Sequence, residues 1–171
     1  MIIKKTKVFF SYVSEENWLN KMAAKGYHLV KYTFWRYHFE QGEPGAYEYR
    51  LELLENSPDS EESQEYLDFM EDAGIDCVDT HQNWVYFRKK ATDEPFEIYT
   101  DSPSKQRHLN RIISSLALVA FVNLFLAFIN SLNDNPARSF AIINWIVTLV
   151  LGVIILRYVK LKRDIRESTN Q

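Results

Sequence analysis

The chain has 171 residues, with 23 acidic and 20 basic side chains and one cysteine. That length excludes several large domains, and the lone Cys77 excludes an intramolecular disulfide, which fits a reducing compartment. Residues 1–104 carry 20 acids against 11 bases, net −9, while residues 105–171 carry nine bases against three acids, net +6. An acidic head before a basic, apolar tail lacks the basic face expected of a nucleic-acid binder.

The opening MIIKKTKVFF is basic without a sustained apolar core, so it does not read as a signal peptide. The head then shows an internal correspondence. At an offset of 48, Leu19 matches Leu67, Met22 matches Met70, Gly26 matches Gly74, Val30 matches Val78 and Phe39 matches Phe87. Each copy has a helix led by Ser and acids, with apolar residues at helical spacing, and each helix ends at a Gly suited to a left-handed cap. Strand-like sequence surrounds both helices: TKVFFSYV, YHLVKYTF and WRYHFEQ in the first copy, then AYEYRLELLE, IDCVDTHQ and NWVYFRKK in the second. Gly42-Glu43-Pro44-Gly45 reads as the turn between copies.

The expected fold is therefore α+β. A duplicated β-α-β-β unit, with repeats at about 5–42 and 46–90, forms a ferredoxin-like or barrel-like head over residues 1–104. Its two helices are expected on one face of the strands. PFEIYTD, from Pro95, is expected to add an edge strand. Asp101 or Ser102 is expected to cap the helix that follows.

From Ile112 to Leu132 and from Ser139 to Val159 run two stretches free of charge until Arg157. A run of about 20 apolar residues spans a bilayer as a helix. Lys105, Arg107, His108 and Arg111 precede the first, Arg157, Lys160, Lys162, Arg163 and Arg166 end the second, and the gap holds Arg138 against Asp134. Basic span ends favour the cytoplasm, so the reading is a transmembrane hairpin over 105–163. Both termini are then cytoplasmic in a multi-pass cell-membrane protein, with an external turn at Asn135-Pro136 and a polar tail over 164–171. Asn123, Asn130 and Asn144 read as interhelical hydrogen-bond partners, since no ionisable group lies mid-span to mark an ion path.

Chemistry-bearing motifs are sparse. Cys77, Asp79 and His81 share strand parity, yet they fall short of a four-ligand zinc signature and read as solvent-facing polar groups. The acids of Asp59 to Asp72 read as the solvated face and first turn of a helix. Arg36, Arg50 and Arg88 are expected to form surface ion pairs of small value. No catalytic residue, cofactor site or metal site is assigned. The aromatics carry more weight. Trp18, Tyr32, Trp35, Tyr37, Trp84 and Tyr86 form a candidate binding surface if half of them face outward from a sheet covered on one side. In the plainer reading they fill a compact core with their hydroxyls reaching its edge.

The strings WLNKMAAKGYHLVKY, FEQGEPGAYEYRLELLE, NWVYFRKK and PFEIYTDSPSKQRHLNRI resemble an uncharacterised bacterial membrane family, domain of unknown function 2812, over most of residues 5–112. The resemblance implies a head placed before membrane spans and a setting beside PadR-like transcriptional regulators, hence a part in a stress or envelope response. It implies no catalytic residues. The reading that follows is a membrane-anchored cytoplasmic sensor or adaptor, not an enzyme. It binds a protein partner, a second copy of itself or an apolar ligand. A small accessory subunit of a membrane transport complex is the alternative, and an uncharacterised enzyme a third.

Overall fold

Alternating apolar residues and two Ser-led acidic segments build a β-α-β-β order twice. The elements are β1 (Ile3–Thr6), α1 (Tyr12–Ala23), β2 (Tyr27–Thr33) and β3 (Arg36–Gln41), then β4 (Tyr47–Leu53), α2 (Glu61–Asp72), β5 (Ile75–His81) and β6 (Trp84–Lys90). Two long helices follow, α3 (Ser102–Ser131) and α4 (Ala137–Thr169). This computed structural model describes residues 2–91, 95–99, 101–132 and 137–169, with side chains from 140 to 167 in the last stretch. The expected turn at Asn135-Pro136 lies outside the described residues. The chain divides into two compact units, Met1–Ile98 and Tyr99–Gln171.

In the first unit the strands form two antiparallel sheets, ordered β1-β3-β2 and β4-β6-β5. The first and second strands of each unit are both antiparallel to the third, so they run parallel with it between them. The helix makes the crossover such a pair requires. Each sheet also has a register shift at the matching place, between Leu29 and Lys31 and between Cys77 and Asp79.

Two cores hold this unit. Leu19, Met22 and Ala23 of α1 meet Leu29, Tyr37 and Phe39 from the first sheet and Tyr49, Leu51 and Tyr86 from the second. Leu54, Met70, Val85, Phe87 and Phe96 form the other core, with Tyr66 and Leu67 of α2 packed against it. Tyr86 thus belongs to one core, and its strand neighbours Val85 and Phe87 to the other. Successive strand residues point to opposite faces, so α1 and α2 cover opposite faces of the β4-β6-β5 sheet, not one face as expected. The reason is in WVYF, which is apolar at both parities and needs a cover on each side. RYHFE is apolar at one parity only, so the outward face of the β1-β3-β2 sheet stays open.

Two strand expectations fail. TKVFFSYV yields a strand only up to Thr6, and Tyr12 already belongs to α1. Thr6 pairs with Arg36, the first residue of β3, so the ladder runs out of partner there. Lys7 N–H donates once more, to the Trp35 carbonyl at 2.9 Å, and Phe9 then folds onto Trp18. Residues 95–99 form no strand. Phe96 instead enters the second core, where its N–H reaches Glu48 Oε2 at 3.3 Å.

Gly26 has φ +79°, and a Cβ there would lie 2.6 Å from the Gly42 carbonyl oxygen. The Gly42–Gly45 turn is tied to this point. Gly42 N–H donates to the Gly26 carbonyl, Gly45 N–H to the Ala23 carbonyl, and His28 Nε2 lies 2.8 Å from the Glu43 carbonyl oxygen.

In the second unit Asp101 caps α3, its side chain accepting from Ser104 N–H at 2.8 Å, and Pro103 sits in the first turn, where its missing N–H costs nothing. Both helices are long and apolar enough to cross a membrane. Large apolar side chains such as Phe121, Phe125 and Phe128 of α3 and Ile142, Leu149 and Leu156 of α4 are exposed. Ala127 and Ala141 are buried, as expected where helix backbones approach closely.

Candidate functional site

A carboxylate on α1 ties the helix to both sheets of the first unit. Glu15, Leu19 and Met22 follow helical spacing, so Glu15 lies on the stripe that meets the first core. Tyr37 from one sheet and Tyr86 from the other both donate their hydroxyls to Glu15 Oε1, each at 2.7 Å. Tyr32 stacks on Tyr86 at 5.0 Å and lies 4.9 Å from Tyr37. Its N–H donates to Asp79 Oδ2 at 2.6 Å, and the His81 ring stands edge-on to it at 5.1 Å. Helix and both sheets are thereby joined through one carboxylate.

Burial raises the Glu15 carboxyl above its usual range, partly offset by the two phenol donors. Burial and the Glu15 charge together hold Tyr37 and Tyr86 far above the usual phenol range. The phenols therefore stay protonated donors to Glu15. This is a bracket that orders both sheets, and it presents no activated nucleophile.

A second stripe of α1 serves a strand edge. β4 pairs with β6 alone, which leaves its other edge with unpaired backbone groups. Asn20 Oδ1 accepts from Tyr49 N–H at 2.7 Å and its Nδ2 donates to the Tyr49 carbonyl at 3.1 Å. Glu16 Oε1 accepts from Leu51 N–H at 2.7 Å. Burial pushes the Glu16 carboxyl up to about 7, against the lowering effects of that N–H and of Arg50. The second core has a related pair, Tyr66 donating to Glu52 Oε2 at 2.7 Å.

The six aromatics read as a surface are distributed unevenly. Tyr37 and Tyr86 are 1% and 3% exposed. Trp18, Tyr32 and Trp84 are half-buried against the first core, Trp18 lying 4.8 Å from Tyr37. Trp35 alone of the six is exposed, at 46%, beside Phe34 at 66%. These two form the β2–β3 turn with φ +65° and +28°, their rings stacked 4.3 Å apart. The turn is braced by Trp35 N–H donating to the Tyr32 hydroxyl at 3.0 Å.

Cys77, Asp79 and His81 do not converge. Cys77 pairs with Phe87 and Asp79 with Tyr86, residues of opposite faces, because the register shift at Val78 breaks the parity. Among the described residues no three His, Cys, Asp or Glu side chains could hold one metal ion. Arg88 pairs with Asp76 at 3.0 Å and Arg50 with Glu48 at 3.9 Å, while Arg36 has no ion pair among the described residues. In the second unit Asn123 Nδ2 donates to the Val119 carbonyl of its own helix at 3.0 Å. Asn130 and Asn144 are half-buried. Helix-to-helix bonds run from Trp145 Nε1 to Ser131 Oγ at 3.2 Å and from Lys162 Nζ to Asn110 Oδ1 at 2.6 Å.

Sequence reasoning passed over Glu15, Glu16 and Asn20. Their signal was present: Glu15–Leu19–Met22 and Glu16–Asn20–Ala23 set polar side chains on stripes that end in core residues.

A family model described as Protein of unknown function (DUF2812) matches residues 11–122. The chain belongs to this family. The DUF2812 match begins at Ser11, the residue before α1, and ends within α3, so it takes in both helices of the first unit and five of its six strands. No curated protein matches the chain, and no solved structure does.

Proposed function

We propose that this DUF2812 protein is a membrane-anchored cytoplasmic sensor or adaptor without catalytic activity. The observation that carries the reading is the pair of helices whose large apolar side chains face outward, with basic residues at the outer ends of both apolar runs. Exposed apolar surface on that scale is stable in lipid. Both termini lie in the cytoplasm and the segment around Asn135 outside, since Lys and Arg concentrate at those ends. The head arose from a duplicated β-α-β-β unit, supported by matching strand orders, register shifts and left-handed glycines at Gly26 and Gly74. Its polar interior is committed to holding helix and sheets together, which leaves its outer surfaces for partners. The setting implied by the family resemblance makes a PadR-like regulator one candidate partner.

Cys77 is the one cysteine, and it is exposed. A membrane-impermeant maleimide applied to intact cells is expected to leave Cys77 unmodified and to label it after permeabilisation. An Asn135→Cys change in a Cys77→Ser background should be labelled already in intact cells. Labelling of Cys77 in intact cells overturns the orientation, and recovery of the chain in the soluble fraction overturns the anchor.

A further inference from the structure

Two uncovered faces of the first unit are opposite in charge. On the outward face of the β1-β3-β2 sheet, register places Lys4, His38 and Lys31 in one row across the strands and Thr6, Arg36 and Thr33 in the next. Lys4, Lys31 and Arg36 are exposed and His38 is half-buried, with Glu40 the acid beside them. The Phe34–Trp35 turn forms the end of this face. Aromatic residues at positive φ are strained, and such positions cluster at binding and functional sites. Lys7 N–H donating to the Trp35 carbonyl and Trp35 N–H donating to the Tyr32 hydroxyl fix the backbone of the turn, whose two rings are exposed, Phe34 lying 6.5 Å from His81 of β5.

The second face is the outward side of α2. Glu61, Glu62, Glu65, Asp68, Glu71 and Asp72 are exposed there, and the helix holds no basic residue. Among these acids stands Phe69, 66% exposed. Its neighbours Glu65 and Asp72 lie one turn to either side of it. None of the charges on either face has an ion pair among the described residues.

One face thus offers an aromatic pair beside cations, the other a single ring among carboxylates. Both belong to one folded unit, each built into its own sheet or helix, so they meet across two molecules. We propose that the outward face of the β1-β3-β2 sheet in one copy receives α2 of a second copy. Phe69 seats beside Phe34 and Trp35, and the α2 acids pair with Lys4, Lys31 and Arg36. The contact joins two different patches, so its repetition closes a ring or extends a row. The aromatic centre and the paired charges share the affinity, and the charges also set register and rate. This names the partner of the adaptor proposed above and rests on that reading of the head as an interaction module.

The test is sedimentation of the full chain in neutral detergent micelles. The wild type is expected to associate at low salt and to come apart at about 500 mM NaCl, where charges beyond a few ångströms are screened. Lys31→Glu with Arg36→Glu, or Glu65→Lys with Asp68→Lys, should each weaken association at least about tenfold. Phe69→Ala should do the same, with an unchanged melting temperature in all three. Mixing the two charge-reversed variants should restore association, because each then presents the face that the other needs. A wild type with one chain per micelle, association indifferent to the reversals, or a mixture that stays apart overturns the proposal. So does a monomeric wild type that binds phosphatidylserine vesicles through Lys31 and Arg36, which assigns the face to lipid. Cys77 labelling reports orientation whatever the oligomeric state, so the two readings fail separately.

Discussion

Glu16 sits one turn before Asn20, and both side chains are spent on the open edge of β4. The carboxyl is held protonated up to about pH 7, against a usual value near 4.5, chiefly because burial penalises its charge. Below about 4.5 it is protonated whether the chain is folded or not, and its contribution to stability is complete. As pH rises from there to about 7, the unfolded chain releases the proton and the folded chain keeps it, so stability falls. The loss by pH 8 is up to about 3 kcal/mol. Glu16→Gln keeps an oxygen for Leu51 N–H and removes the titration. Thermal unfolding should show the wild type melting lower at pH 8 than at pH 5, and the variant losing much less over that range. Equal slopes for the two proteins would sink this account. Burial of Glu16 was readable only in part: the i, i+4, i+7 spacing to Asn20 and Ala23 puts it on a helix stripe, but which strand edge that stripe meets is a tertiary matter.

At the scale of elements, two glycines at equivalent places carry different loads. Gly26 and Gly74 have φ +79° and +77°, conformations that Gly adopts most readily. Around Gly74 a Cβ would meet nothing within 4 Å, whereas at Gly26 it would press on the Gly42 carbonyl oxygen. Gly74→Ala should cost about 1 kcal/mol of backbone strain, and Gly26→Ala about 2–4 kcal/mol, since the Gly42–Gly45 turn must also move. Chemical denaturation of the two variants reads this directly, and equal losses would mean that the turn yields freely. Five of the six strands and both head helices were legible because period 2 and period 3.6 are strong in them. β1 was misplaced because a strand ends where its partner ends, and β3 starts at Arg36. The aromatic surface was overdrawn for a similar reason. Alternation separates two faces, yet it does not tell which of them a second sheet will cover.

For the whole molecule, both hydrophobic cores and the side chains packed against them lie within residues 9–98. A chain ending after Ile98 should therefore stay soluble and melt cooperatively, while the full chain sediments with membranes and resists alkaline extraction. A truncated chain that is insoluble or melts without a transition would show that the head depends on the helices.

Hydrophobic periodicity and the two charge-free runs in the sequence were enough for the repeated β-α-β-β order and for two apolar helices after it, because each follows from local pattern and composition. The convergence of Tyr37 and Tyr86 on Glu15, the placing of α1 and α2 on opposite faces of one sheet, and the open basic face of the other came from the fold alone. Those features depend on which surfaces meet across residues tens of positions apart. No local periodicity encodes that pairing.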